Sequence, residues 1–242
     1  MLIVANERSE LLPLLPTGGV VVEIGVNVGD FSRRILDLNR PQRLHLIDPW
    51  EVAHADDEYV ASGESAERQM AGAEQRYQET REKVAAEVAA GSVEIHRDYS
   101  FNVADRFADN SLDWIYIDGN HQYDAVKKDL EVFYPKIKPD GFILGHDYAN
   151  HERARRHHYG VVEAVNEFVL QHGAEFCCLT MEAFPTFVIA KSPSSERKNA
   201  FLTKILHTLN PTFRVLNFER KAYQQFIVER PDGKAKTIIS ID

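Results

Sequence analysis

The stretch Val20-Val21-Val22-Glu23-Ile24-Gly25-Val26-Asn27-Val28-Gly29 decides the fold of this chain. Its first five residues form a β-branched run, the pattern of a strand buried on both faces of a parallel sheet. The glycines end that strand, and Phe31, Ile35 and Leu38 then recur at spacings of four and three, which predicts a helix. Leu44-His45-Leu46-Ile47-Asp48 is a second strand. Strand, helix and strand within about 30 residues make a βαβ unit.

Outward from that unit, strand-like runs return at Val93–His96, Trp114–Ile117, Phe142–Leu144 and Phe187–Ala190. Helical patterns lie between them, at Val126, Leu130 and Phe133 and at Val161, Val165, Phe168 and Val169. Alternation of this kind implies an α/β sandwich around a mainly parallel sheet. Residues 50–92 form a charged insertion rich in Ala, Glu and Arg, in which Met70, Tyr77 and Val84 recur every seven residues as one apolar stripe. The insertion is either a lid over the site or a peripheral helix. Lys191-Ser192-Pro193-Ser194-Ser195 reads as a linker that closes a domain of residues 1–191. Residues 192–242 are then an extension, with a short helix near Phe201–Leu209 and a hairpin around Pro231-Asp232-Gly233, available for packing or homo-oligomerisation.

Composition narrows the function classes. Among 242 residues, 28 Lys and Arg face 37 Asp and Glu, a net charge of −9. A phosphate backbone needs a basic surface, so nucleic acid is not the expected partner. Only Cys177 and Cys178 are present, adjacent to each other, which suits a reducing compartment. The N-terminus lacks a signal-peptide core, and no apolar run approaches the ~20 residues of a membrane span. The expectation is a cytoplasmic protein with a small-molecule substrate and no membrane partner.

Ligands of open α/β sheets bind beyond the carboxyl ends of the strands. At the first such end, Gly25 permits a tight turn and close approach of a ligand, and Gly29 stands where a helix begins and exposes unpaired N–H groups. Asp48 ends the next strand, nineteen residues after Gly29, placed to accept from a ribose diol. A dinucleotide fingerprint requires G-x-G-x-x-G, whereas this turn reads G-x-x-x-G. The Glu23 carboxylate would repel a pyrophosphate but suits a ligand that carries an ammonium group. The bland alternative is a plain turn with Asp48 as a helix cap.

Two later strand ends carry the other candidates. Ile117 runs into Asp118-Gly119-Asn120-His121, and Leu144-Gly145 runs into His146-Asp147-Tyr148. If those strands are neighbours, Asp118, His146 and Asp147 emerge together and could hold a divalent cation. His121, on the same loop as Asp118, could take a proton. Either aspartate could instead cap a helix.

Glu23-Ile24-Gly25-Val26-Asn27-Val28-Gly29 followed by Leu46-Ile47-Asp48 resembles motif I and the next acidic position of class I S-adenosylmethionine-dependent methyltransferases. That resemblance implies a Rossmann-like three-layer sandwich with a mainly parallel seven-stranded sheet. It places Glu23, Gly25, Asn27 and Gly29 against the methionine part of S-adenosylmethionine, Asp48 on the ribose, and Asp98-Tyr99-Ser100 at the adenine. Ile117–Tyr123, Pro139-Asp140-Gly141 and Gly145–Tyr148 further resemble the subfamily of macrocin O-methyltransferase-like and cephalosporin-hydroxylase-like proteins, with catechol O-methyltransferase more distant. The likeness covers roughly residues 18 to 191.

In metal-using members, the positions of Asp118, His146 and Asp147 bind magnesium, and His121 falls where catechol O-methyltransferase has its lysine base. His146 stands where an acid is usual, and a nitrogen ligand suits manganese, iron or zinc better than magnesium. His146 is therefore a ligand of a different ion, or a base. The expected activity is methyl transfer to an oxygen of a small molecule with metal assistance, with Asp118 and His121 catalytic. An NAD-dependent oxidoreductase, a hydroxylase-like relative and a non-catalytic nucleoside-binding module are the alternatives.

Overall fold

The computed structural model describes residues 1–51, 66–229 and 235–242. The chain opens with β1 (Leu2–Val4) and the short helix α1 (Arg8–Leu11). The βαβ unit follows as β2 (Val20–Ile24), α2 (Asp30–Leu38) and β3 (Arg43–Ile47). The insertion supplies α3 (Ala66–Lys83) and α4 (Ala85–Ala89) before β4 (Val93–His96). Next come α5 (Ser100–Val103), β5 (Leu112–Ile117), α6 (Tyr123–Phe133) and β6 (Ile137–Gly145). The domain continues with α7 (Glu152–Arg156), α8 (Val161–His172), β7 (Glu175–Thr180) and β8 (Phe187–Ala190). The last part holds α9 (Glu196–Thr208), β9 (Pro211–Arg214), β10 (Tyr223–Glu229) and β11 (Ala235–Ile241).

β-Branched and aromatic residues at alternate positions bury both faces of the central strands. Val22, Ile24, Ile115 and Ile117 face a core completed by Val126, Leu130 and Phe133 of α6 and Val165 and Phe168 of α8. Val21, Trp114, Tyr116 and Leu144 face the opposite core, with Phe31 and Ile35 of α2 and Phe201 and Ile205 of α9. Helices on both faces of one sheet give the three expected layers.

The sheet order is β4-β3-β2-β5-β6-β8-β7-β1-β9. From β2 the chain winds outward through β3 to β4 and then returns to β5 on the other side of β2. That reversal opens a crevice between the β2 and β5 tips, where doubly wound sheets bind ligands. The tips are tied in sequence: Gly25 N–H donates to Ile47 O (2.9 Å), Asp118 N–H to Ile24 O (2.8 Å) and His146 N–H to Ile117 O (2.9 Å).

The expectation of seven strands needs correction to nine among the described residues. β1 lies parallel to β7, and β9 pairs antiparallel with β1, so both ends of the chain extend the sheet. Neither could be found from local pattern. β1 is three residues long, and the β9 backbone is satisfied only by a strand some 200 positions away. β7, which carries the buried Cys177 and Cys178, was also absent from the strand pattern.

Residues beyond 192 pack onto the sheet. Arg197 pairs with the buried Asp113 at 2.8 Å, and the Phe201 ring lies 5.3 Å from that of Phe142. β10 and β11 form an antiparallel hairpin, while its expected turn at 231–233 lies outside the described residues. The apolar stripe of α3 is also corrected. Met70 is 61% exposed, and the inward positions are Ala73, Tyr77, Thr80 and Val84. Spacings of four, three and four follow a straight helix, from which a strict seven drifts. Among the described residues, no helix is long and apolar enough to cross a membrane.

Candidate active site

Gly25 adopts φ +83°, and a Cβ there would lie 2.0 Å from the Asp118 carbonyl oxygen. The glycine is therefore required first by the β5 tip, which passes against the turn. Gly29 (φ +75°) begins α2 with Thr80 of α3 against it, and it does not line either cavity described below. Asp48 is tied to the turn: its Oδ2 accepts from the Val26 and Asn27 N–H groups (2.9 and 3.0 Å), and its Oδ1 from Trp50 N–H (2.7 Å). Burial raises the Asp48 carboxyl above its ordinary range, against the pull of these three bonds. A carboxylate has about four acceptor positions, so Asp48 keeps one for a ligand.

Two cavities open at these tips. One, of about 510 Å³, is lined by Gly25, Asn27, Asp48, Trp50, Tyr99 and Ser100, among others. The second, of about 710 Å³, includes Arg8, Glu23, His146, Asp147, Arg153 and Phe184. Gly25, Asn27, Asp118, His121, His157 and Tyr159 line both. Tyr99 and Ser100 thus line the first cavity. Asp98 is outside the lining, its Oδ1 accepting from Tyr99 N–H and the Asn102 amide at 2.8 Å each. Glu23 is fully buried beneath the turn and accepts from the Ser32 hydroxyl. Burial pushes its carboxyl up to about 8.

The second cavity ends at the tips of β5 and β6. His121 Nε2 is 3.0 Å from Asp147 Oδ2 and 3.9 Å from Asp118 Oδ1, and His146 Nδ1 is 3.2 and 3.6 Å from the same two oxygens. Burial works against the charge of both imidazoles, but their hydrogen bonds to the aspartates prevail. His146 is pushed up to about 9, and His121 is raised as well. Asp147 is buried too, yet the two histidines hold its carboxyl well below the usual range. Asp147 adopts φ +59°, a conformation that costs a non-glycine residue on the order of 1 kcal/mol and occurs preferentially at functional sites.

Asp118, His121 and Asp147 each offer one ligand atom, and these atoms lie within 4.8 Å of one another. The group with ligand-like spacing thus holds His121 where His146 was expected, and His146 stands beside it, with Nδ1 3.2 Å from Asp147 Oδ2 and 3.6 Å from Asp118 Oδ1. A mixed nitrogen and oxygen set fits manganese, iron or zinc better than magnesium.

Sequence reading missed several lining residues. Arg8 arrives from the far edge of the sheet, and Trp50 donates its indole N–H to Asn27 O at 2.7 Å. Thr80 Oγ1 also donates to Asn27 O (3.0 Å), and Lys83 Nζ to Val28 O (2.8 Å), so α3 grips the rim of the turn. Only the polar positions on the inner side of α3 hinted at this.

A second group, His45, Glu94 and His96, also has ligand-like spacing. Arg106 donates to His96 Nδ1 at 3.5 Å, which leaves the His96 proton on Nε2, directed at His45 Nδ1 3.0 Å away. Arg43 holds Glu94 at 2.9 Å. Both His96 nitrogens and His45 Nδ1 thus have partners, and the group reads as structural.

Comparisons with known proteins agree with this architecture. A family model described as a methyltransferase domain matches residues 22–148, just over half of the chain. An O-methyltransferase family protein from Burkholderia thailandensis superposes with a TM-score of 0.52 at 12% identity, covering 78% of this chain and 55% of that one. An rRNA methylase from Streptococcus thermophilus gives 0.50 at 11% identity, with 75% and 92% covered. At such identities the likeness concerns the fold alone. The uncharacterized protein y4gI of Sinorhizobium fredii is 39% identical over 57 residues, which is 24% of this chain and 6% of that protein's length. The chain belongs to the methyltransferase-domain family, and its fold is that of the class I S-adenosylmethionine-dependent methyltransferases.

Proposed function

We propose that the protein transfers the methyl group of S-adenosylmethionine to an oxygen of a small-molecule acceptor. The observation that carries this reading is the wall shared by the two cavities, where Asp118 and His121 line both. A donor in the first cavity and an acceptor in the second would meet there. Asp48, Tyr99 and Ser100 are assigned to the nucleoside, and Glu23, with Gly25 and Asn27, to the methionine end. A ligand ammonium would restore the charge that burial takes from Glu23.

The acceptor oxygen attacks the methyl carbon in line, forming O–CH3 as S–CH3 breaks, and the sulfonium leaves as a neutral thioether. The acceptor proton passes to the neutral form of His121, which Asp147 orients at 3.0 Å. Asp118 positions the hydroxyl from the other side. Holding the two reactants in register supplies most of the acceleration, because the sulfonium is already activated. As an alternative to that base role, Asp118, His121 and Asp147, with His146 beside them, would hold a divalent ion, which when bound would lower the pKa of an acceptor hydroxyl. A net charge of −9 favours a small acceptor over nucleic acid.

The test is S-adenosylhomocysteine binding by calorimetry, together with methyl transfer across a panel of hydroxylated acceptors, with and without a chelator. Asp118→Asn should keep cofactor binding and lose turnover by at least about 100-fold. Full turnover in that variant, or no cofactor binding by the unmodified chain, would reject the assignment.

A further inference from the structure

Arg8 is absent from every motif in the sequence and lies outside the matched family region of residues 22–148. Topology explains how it reaches the site. β1 runs parallel to β7, which is antiparallel to β8, and β8 is antiparallel to β6. The carboxyl end of β1 therefore lies on the same edge of the sheet as the tips of β5 and β6. From there α1 turns back over the tips, and its first N–H donates to Glu182 Oε1 at 3.1 Å.

The guanidinium is held on three sides. Its Nη1 donates to Asp118 Oδ2 and to the Tyr116 hydroxyl, both at 2.8 Å. Its carbon lies 4.6 Å from the centroid of the Phe31 ring, which itself packs on Tyr116. The Arg8 side chain is about 29% exposed, so the pair with Asp118 is formed partly out of water. Asp118 then turns one oxygen to the arginine and the other to the two histidines.

We propose that Arg8 is a resident cation of this acidic corner, held on Asp118 Oδ2 beside the Oδ1 that faces the histidines, so that the Arg8–Asp118 pair opposes binding of a divalent ion there. Two effects act together. An ion at Asp118 Oδ1 must share a carboxylate whose charge is already partly neutralised by the arginine on Oδ2. It must also sit close to a fixed like charge in a partly desolvated pocket, where repulsion is poorly screened. The intact chain therefore binds divalent ions weakly, and the acceptor site keeps its positive charge through the N-terminal segment. The inference extends the methyl-transfer reading of the corner, although its test does not require turnover.

The experiment measures Mn2+ binding to the full chain from the loss of the free-ion paramagnetic resonance signal. It compares the unmodified protein with Arg8→Met, Arg8→Gln, Arg8→Lys and the double variant Arg8→Met/Asp118→Asn. Removing the charge should tighten Mn2+ binding on the order of ten-fold or more in the Met and Gln variants. Arg8→Lys should remain weak, and the double variant should lose the gain. S-adenosylhomocysteine binding, measured alongside, reports whether each variant is folded and tests the methyl-transfer reading separately. Micromolar Mn2+ binding by the unmodified protein, or equal affinity with and without Arg8, would overturn the proposal.

Discussion

Replacing Gly25 by alanine tests the geometric heart of the site, the contact between the β2 turn and the β5 tip. The new Cβ would lie 2.0 Å from the Asp118 carbonyl oxygen, 2.4 Å from its carbon and 2.6 Å from the Gly119 nitrogen. Those are backbone atoms just past the end of β5, a strand bonded on both sides, with no rotamer to relieve them. Ordinary contact, at 3.4 Å or more, requires the β5 tip to retreat by more than about 1 Å. The residue must also hold φ +83°, which costs an alanine about 1–2 kcal/mol. Together with the displaced tip, we expect a loss of roughly 3 kcal/mol, or a fall in Tm of about 6–12 °C for a chain of this size.

Gly18→Ala is the matched control. It stands at φ +68° with nothing within 4 Å of its Cβ, so it carries the backbone cost alone. A misplacement of about 1 Å at Asp118 should lower turnover on the order of 100-fold. Calorimetric melts, S-adenosylhomocysteine titrations and initial rates of both variants decide the matter. If Gly25→Ala melts and binds cofactor like Gly18→Ala, the two tips do not meet as described and the shared wall is wrong.

Other expectations rest on single groups. Asp48→Asn keeps the side-chain shape but can no longer accept from Val26, Asn27 and Trp50 at once. Cofactor affinity should fall about 10- to 100-fold with a smaller loss of stability, and an unchanged titration would remove Asp48 from the ribose. His45 gives a pH signature away from the site. Burial, followed by the neighbouring His96, depresses it to about 4, with Glu94, Arg43 and Arg106 also facing the pair. Because the folded value lies below the unfolded one near 6.5, the neutral ring stabilises the fold fully above that pH. The contribution, at most roughly 3 kcal/mol, is lost as pH falls from 6.5 towards 4. Urea melts of the unmodified protein and His45→Phe across that range should diverge, and parallel curves would refute the effect.

The sequence by itself determined the βαβ unit, the glycine turn and the placement of acidic residues at strand ends. These are local matters: β-branched runs choose strands, glycine marks the turn, and period-two alternation with both faces apolar marks a central parallel strand. Glu23, Asp48, Asp118, His121 and Asp147 were therefore legible as candidates, since Glu23 lies near the end of β2 and the others closely follow strands recognisable from their own few residues. Asp98 was misplaced because a carboxylate next to free backbone N–H groups is as ready to cap as to bind.

Only the tertiary structure decided what depends on non-local pairing. Strands at the two chain ends extended the sheet, because backbone groups of β1 and β9 find their partners in each other and in β7. The same pairing set α1 over the tips and delivered Arg8 to Asp118, across 110 positions of sequence. No periodicity encodes that contact. A charge on a short N-terminal helix acquires meaning only when the fold supplies the carboxylate, the hydroxyl and the ring that hold it.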